Sequence, residues 1–169
     1  MICEVSEMSR RRCCYSASLE FFLQENKTNW IKKMKEAFQD LVEMPLGESQ
    51  VRAWKDCFDV LMEQLPAIYK THPNFDIVFE YCLPYESGRR PDVLLISKEQ
   101  VIVLEFKQNF RVIHADIDQT AAYARDIYEY HLGGRNIVTE FYKYLYEDAT
   151  IFLSRKKDKF DKYLKAKCR

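Results

Sequence analysis

A chain of 169 residues fits one domain, and folding at this size buries about 68–70% of the unfolded chain's surface. A hydrophobic fraction of 47%, with only four glycines and five prolines, excludes disorder and collagen-like repetition. The four glycines fit neither a phosphate-binding loop nor a G-x-G-x-x-G motif. The 26 basic and 26 acidic residues give zero formal charge, which argues against a wholly basic surface but allows a local basic strip.

The apolar runs and the cysteines bear on the compartment. The longest apolar runs have four residues and no apolar leader opens the sequence, so we expect neither a membrane span nor export. The six cysteines form no C-x-x-C pair, and a domain of this size needs no disulfide support. We therefore expect reduced thiols and a cytoplasmic protein. Zinc is not expected, because no histidine stands at ligand spacing from a cysteine.

The first part of the chain is predicted to be helical. Residues 1–14 show no periodic pattern and are predicted to form a flexible leader. Apolar residues then recur at steps of three and four, which predicts two amphipathic helices within residues 15–68. The first helix is expected to begin with Thr28 as its N-cap. The second is expected to run from about Ser49 to Pro66, because proline interrupts helices.

The middle of the chain has the composition of a β-sheet. Residues 75–83, 92–97 and 101–107 are rich in β-forming side chains and are separated by short loops, which predicts three strands in a sheet core over 75–108. The second and third strands are apolar on both faces, so we expect helices to cover both sides of the sheet. The fold class expected from the sequence is therefore α/β.

A helix is predicted over residues 116–131, where Asp116 and Gln119 form a capping box. Together these elements predict a single domain over residues 15–155. Beyond the helix the pattern is weaker and predicts a helix or strand at 137–146, a short strand at 151–153 and a charged tail at 156–169.

Four charged residues are expected to meet at the end of the predicted sheet. Glu105 and Lys107 lie two residues apart in a strand and therefore share one face. If the last two strands form a hairpin, Asp92 lies opposite Glu105. If the preceding pair also forms a hairpin without a bulge, Glu80 lies opposite Asp92.

Three carboxylates beside one ammonium are costly to bury unless they pair or hold a cation. Carboxylate oxygens suit Mg²⁺ or Mn²⁺, which recruit waters and phosphate oxygens as further ligands. The pattern therefore predicts a metal site made by Asp92, Glu105 and Glu80 with a phosphodiester as substrate. Lys107 could orient or deprotonate the attacking water and offset negative charge.

Two motifs resemble a known superfamily. Pro91-Asp92 followed by Glu105-Phe106-Lys107 resembles the signature of the PD-(D/E)XK nucleases, and Gln119 with Tyr123 resembles the Q-x-x-x-Y pair of the RecB-like branch. The resemblance implies a restriction-endonuclease-like three-layer sandwich, with a central mixed β-sheet flanked by helices. It makes Asp92 and Glu105 the metal ligands and Lys107 the catalytic base or water-positioning group. Gln119 and Tyr123 would support the site or contact the substrate backbone.

A less specific resemblance covers about residues 15–131. It is to the nuclease-like domain that precedes a helicase-type ATPase in bacterial proteins related to the Schlafen group, and it implies a helicase or ATPase partner. The chain itself contains no ATPase motif. The matching pieces are Tyr15-Ser16-Ala17-Ser18, Phe22-Leu23, Gln50 with Trp54, Glu80-Tyr81, Arg90 with Asp92, Glu105-Phe106-Lys107-Gln108 and Gln119 with Tyr123.

Several roles stay open at this point. Many members of the superfamily carry a further acid on the first core helix, where Glu63 stands without a clear motif, and Glu80 is the substitute. Glu80 could instead pair with Arg89 or Arg90, which adjoin Asp92 and are also candidate phosphate contacts.

The sequence thus predicts a Mg²⁺- or Mn²⁺-dependent nuclease that hydrolyses phosphodiester bonds, with DNA favoured over RNA. One alternative is a catalytically inactive module that binds nucleic acid or a helicase or ATPase partner. Another is a nuclease directed at RNA, which follows from the Schlafen-like resemblance.

Overall fold

The chain is an α/β protein in which helices pack on a β-sheet, as seen in a computed structural model. The elements in chain order are β1 (Tyr15–Ser18), α1 (Leu19–Leu23), α2 (Lys27–Leu41), α3 (Glu48–Thr71), β2 (Asp76–Phe79), β3 (Val93–Ile96), β4 (Val101–Phe106), α4 (His114–Tyr130) and β5 (Phe152–Leu153). The structure describes residues 12–42, 44–83, 88–98, 101–107, 113–130 and 152–153, the side chains of 128–130 and 152–153 excepted. The predicted fold class, α/β, is confirmed.

The sheet follows chain order, β1-β2-β3-β4-β5. Strands β1 to β4 are antiparallel neighbours, whereas β5 lies parallel to β4. Val93 is paired with Leu104 on one side and with Phe79 on the other. Both hairpins therefore have the predicted register, which places Asp92 at the same level as Glu105 and Glu80.

Strand β1 was not predicted from the sequence. Its two serines and its length of four residues give a weak strand signal. The pairing with β2 continues upstream, because the Cys14 N–H donates to the Phe79 carbonyl and the Arg12 carbonyl accepts from the Cys82 N–H. Residues 12–14, inside the predicted leader, are thus joined to the sheet, and residues 1–11 lie outside the described residues.

One face of the sheet is covered by α1, α2 and α3. Its core is aromatic: Phe22, Trp30, Phe58 and Phe79 pack with ring centroids 4.8–6.3 Å apart. The Trp30 side chain is fully buried, and its indole N–H has no hydrogen-bond partner among the described residues. Alternate residues of β3 and β4, such as Leu95, face this core.

The opposite face is covered by α4 and has a smaller core. Leu94 and Val103 from the sheet pack there against Tyr123, Ala124 and Ile127 of the helix. The described residues therefore form three layers, with helices on both sides of the sheet. Since side chains alternate along β4, Glu105 lies on the same face as Val103, towards α4.

The helix boundaries differ from the predicted ones where a cap or a proline decides them. Helix α2 begins two residues earlier, because Asn26, not Thr28, is the N-cap and accepts from two backbone N–H groups. Helix α3 begins after Gly47 rather than at Ser49 and continues through Pro66 to Thr71. Pro66 cannot donate a backbone hydrogen bond, but Ile68 beyond it is buried in the core, so the last turn still packs against the domain.

Helix α4 (His114–Tyr130) begins two residues before the predicted start at 116, because Asp116 accepts from the Ile113 N–H, and residue 131 lies outside the described residues. Asp116 is thus the third helical residue and not the N-cap. The predicted short strand near residue 152 is present as β5. The predictions for 137–146 and for the tail at 156–169 lie outside the described residues. Within the part of the chain that is described, no helix has the length and apolarity that crossing a membrane requires.

Candidate functional site

The candidate site lies where β3 begins and β4 ends. Asp92 directly precedes β3, and Glu105 is the fifth residue of β4. The Asp92 N–H donates to Glu105 Oε1 over 3.1 Å, and the Phe106 N–H donates to Asp92 Oδ2 over 2.7 Å. Backbone groups thus fix both carboxyl groups side by side, as the sequence predicts.

Burial makes both carboxyl groups hold a proton more tightly than usual. It raises the pKa of Asp92 to about 6, opposed by the hydrogen bond from the Phe106 N–H and assisted by the charge of Glu80. It raises the pKa of Glu105 to about 8, and the adjacent Asp92 charge adds to this effect. Two neighbouring buried carboxylates repel, so the pair favours either a shared proton or a nearby cation.

Lys107 supplies a positive charge on the same face. Its ammonium lies 3.5 Å from Glu105 Oε2 and donates to Gln119 Oε1 over 2.9 Å. Gln119 in turn donates to the Tyr123 hydroxyl over 3.1 Å. The structure therefore brings the four predicted residues Glu105, Lys107, Gln119 and Tyr123 into one chain of contacts between β4 and α4.

Arg89 lies beside this chain of contacts. Its guanidinium stands 4.9 Å from the centre of the Tyr123 ring and donates to Asp126 Oδ2 over 2.9 Å. Asp126 is 5% exposed and also lies 3.5 Å from Arg125. Sequence reasoning missed Asp126, whose only signal is an acid three residues after Tyr123 on the same helix face. About a third of the Arg89 side chain stays exposed, so it can still meet an anion.

Glu80 has the predicted register but a different orientation. Its N–H donates to the Asp92 carbonyl over 3.1 Å, while its φ of 51° turns the side chain away from the strand's alternation. Its Oε1 accepts from Gln50 and Trp54 of α3, each over 2.9 Å, and its Oε2 accepts from Arg90 over 3.1 Å. The predicted alternative of pairing with Arg90 is therefore present, and a role as metal ligand stays a prediction.

A cavity of about 300 Å³ opens between α3 and the sheet. Glu80 and Asp92 line it together with Trp54, Cys57 and Phe106. Burial, followed by the charge of Asp92, raises the pKa of the Cys57 thiol well above its usual value. A protonated thiol is a poor nucleophile, so its burial argues against a nucleophilic role for Cys57.

The hydrogen bonds from Gln50 and Trp54 to Glu80 were not predicted. Trp54 is buried at 4% exposure. The available signal was a glutamine and a tryptophan four residues apart, which puts two N–H donors on one face of a helix. Glu63 lies nine residues beyond Trp54, about 14 Å along the helix, and is exposed.

The chemistry of the donor set fits a hard divalent cation. The two adjacent carboxyl groups offer only oxygen, and the charge that burial disfavours is negative. Across the described ranges no group of three or more histidine, cysteine, aspartate or glutamate side chains is arranged to hold a metal. Mg²⁺ is commonly held by one or two carboxylates, with waters and phosphate oxygens completing its shell. Asp92 and Glu105 satisfy that requirement.

Comparisons with known proteins give no further guide to this site: no family model, curated protein or solved structure matches the chain. The assignment of function therefore rests on the residues and their geometry.

Proposed function

We propose that this chain is a metal-dependent nuclease domain that hydrolyses phosphodiester bonds in nucleic acid, with DNA favoured over RNA. One observation carries the proposal: Asp92 and Glu105 meet at the ends of neighbouring strands, with the Lys107 ammonium 3.5 Å from Glu105. The three layers and the mixed sheet also support a restriction-endonuclease-like sandwich as the finer description of the fold.

Asp92 and Glu105 would hold Mg²⁺ or Mn²⁺, which when bound polarises the phosphoryl group and makes an attacking water more acidic. The hydrogen bond from the Phe106 N–H keeps one Asp92 oxygen in place. The other Asp92 oxygen and Glu105 Oε2 are then directed by the two strands and not by flexible loops. This rigidity favours catalysis, since the donor atoms need no rearrangement.

Lys107 is the group that acts on the water and on the developing charge. Its Nζ is fixed by Glu105 on one side and by the Gln119 carbonyl oxygen on the other. Among the described residues, two groups contact this ammonium, so its third N–H can hydrogen-bond a water or a phosphoryl oxygen. Gln119, held by Tyr123, is thus a positioning residue for Lys107.

The nucleic acid would be held by the arginines beside the site. Arg89, partly exposed above Tyr123, is placed to meet a phosphate next to the scissile bond. Arg90 is less exposed and is paired with Glu80, so site support is the role that its contacts favour. A helicase or ATPase partner and a cytoplasmic location are further parts of the proposal.

The test is cleavage of single- and double-stranded DNA and RNA with Mg²⁺ or Mn²⁺, using the full chain. The wild type should cleave, with DNA preferred. Asp92→Ala and Lys107→Ala should each lower the rate by about 10²–10⁴-fold or more while the melting temperature stays near that of the wild type.

Matched controls lie at the opposite end of the sheet, where Asp76 of β2 is paired with Ile96 of β3. Asp76 and Lys98 are both exposed there, so Asp76→Ala and Lys98→Ala should cleave like the wild type. Equal cleavage by the site variants and these controls would refute the catalytic assignment. Nucleic-acid affinity without divalent-metal binding in calorimetry would favour the inactive module, and preference for RNA would change the substrate.

A further inference from the structure

Glu80 departs from the pattern of its strand in both backbone and side chain. Residues Ile77 and Phe79 face the core under α1–α3, and Val78 faces α4, so alternation would turn Glu80 towards α4. The φ of 51° instead turns its carboxylate towards α3. Strand pairing continues past this point, because the Leu83 N–H donates to the Arg89 carbonyl. The side chain is redirected without a shift of register.

A left-handed glutamate is disfavoured and persists only where its surroundings hold it. Those surroundings are three N–H donors on a carboxylate that is 4% exposed: the Gln50 amide, the Trp54 indole and the Arg90 guanidinium. A carboxylate has about four acceptor positions, so three are already filled.

The position of Arg90 argues against a metal at this carboxylate. Its Nε lies 3.1 Å from Glu80 Oε2, and its guanidinium is fixed by a hydrogen bond to the Gly88 carbonyl and by the Phe38 ring 5.1 Å away. A divalent cation bound to Glu80 would lie beside this fixed positive charge, which costs electrostatic energy in a partly buried site.

The same contacts lead directly to Asp92. Glu80 donates its backbone N–H to the Asp92 carbonyl, and Arg90, held by the Glu80 side chain, is two residues before Asp92. Glu80 therefore connects helix α3 to both ends of the Arg90–Asp92 segment. It reaches one end through the Arg90 side chain and the other through the Asp92 backbone, and Asp92 is the proposed metal ligand.

We propose that Glu80 is a positioning residue and not a metal ligand: it anchors the Arg90–Asp92 segment to helix α3 and so sets the place of the Asp92 carboxylate. The anchoring is a property of the folded chain, whereas its consequence for metal binding rests on the proposed function. The test therefore needs one measurement without metal and one with it.

Amide hydrogen exchange, measured on the full chain without metal, reports the anchor directly. The Phe106 N–H is bound to the Asp92 carboxylate and the Glu80 N–H to the Asp92 carbonyl. Glu80→Gln and Trp54→Phe should each speed exchange at these two amides by at least about 10-fold, with the centres of β3 and β4 unchanged. Trp30→Phe is the matched control, because it removes a buried indole N–H for which the described part of the chain supplies no partner.

Titration with Mn²⁺ then separates a positioning residue from a ligand. Loss of a residue that orients a ligand typically weakens metal affinity by about 10–100-fold. We expect Glu80→Gln and Trp54→Phe to weaken Mn²⁺ binding by similar factors within this range. The double variant should be no weaker than the weaker single variant, because both break the same chain of contacts.

Two results would overturn the proposal. One is exchange at Phe106 that is no faster in Trp54→Phe than in Trp30→Phe. The other is Mn²⁺ affinity lost in Glu80→Gln but kept in Trp54→Phe, which would make Glu80 a ligand. If Glu80→Gln does not fold, the two tryptophan variants decide alone. A wild type that neither binds Mn²⁺ nor cleaves refutes the proposed function, while the exchange measurement still decides the anchor.

Discussion

On the face of the sheet under α1–α3, large apolar rings fill the interior, and Phe22 and Trp30 are fully buried. On the face under α4, a smaller apolar cluster is bordered by the polar contacts that run from Glu105 through Lys107 to Tyr123. Apolar burial is the main source of stability, whereas a hydrogen bond that replaces one made with water contributes little net free energy. The first face therefore stabilises the fold, and the second can carry charge because it is less needed for stability.

The contrast between the faces is tested most strongly by truncating the aromatic core. Phe22→Ala should lower the free energy of unfolding by about 3–5 kcal/mol, because it removes a buried ring and leaves a cavity among close neighbours. Denaturant unfolding measures this loss. Phe21→Ala is the matched control in the same helix, because Phe21 is 68% exposed and its truncation should cost less than about 0.5 kcal/mol. Equal losses would show that α1 does not bury the face as described.

Without metal, the buried carboxyl groups on the face under α4 should make the free energy of unfolding depend on pH. The pKa of Glu105 is about 8 in the folded protein and lower when unfolded. Between these two values, the unfolded state therefore binds fewer protons than the folded state. Stability should therefore fall between pH 5 and pH 8. From pH 5 to pH 8, the melting temperature of Glu105→Gln should fall by a few degrees less than that of the wild type, because the amide does not ionise.

Glu36→Gln, on the exposed face of α2, is the control for that titration and should keep the fall seen in the wild type. Added Mn²⁺ should raise the wild-type melting temperature more at pH 8 than at pH 5, because protons compete with the metal for the same oxygens. A melting temperature that rises from pH 5 to pH 8 without metal would contradict the burial of this pair.

The smallest expected effect concerns Gln119, which is proposed to position Lys107 and to contribute little to stability. Gln119→Leu removes the acceptor for Lys107 and the donor to Tyr123 while keeping similar bulk. The cleavage rate should fall about 10- to 100-fold, because Lys107 loses its fixed position, while stability changes by less than about 1 kcal/mol. Gln39→Leu on the exposed face of α2 should leave the rate unchanged. Similar cleavage rates in both variants would show that Gln119 has no role in the site.

Patterns that depend on side-chain alternation and turn position could be predicted from the sequence. The register that places Asp92 beside Glu105 follows from two short hairpins between apolar strands, and the structure has that register. A role for Gln119 beside the site was implied only by its resemblance, with Tyr123, to the Q-x-x-x-Y pair, and the structure shows Lys107 in contact with Gln119.

Features decided by a single backbone angle or by a competing polar group could not be predicted. Nothing in the sequence indicates a positive φ at Glu80, because the angle is held by donors from α3, far along the chain. Asn26 and not Thr28 is the N-cap of α2. Both residue types are good N-caps, so the sequence alone could not decide between them. Strand β1 is held by its partner β2 and not by its own propensity.

The two tryptophans divide between the regions compared above. Trp30 lies in the aromatic core, where no described residue accepts its N–H, whereas Trp54 donates to the Glu80 carboxylate beside the cavity. The wavelengths of their emission maxima should therefore differ. Trp30 should emit at shorter wavelength, and its emission should not change when a ligand binds. The emission of Trp54 should change when a ligand alters the cavity. The protein thus carries its own optical reporters, one for the integrity of the fold and one for occupation of the site.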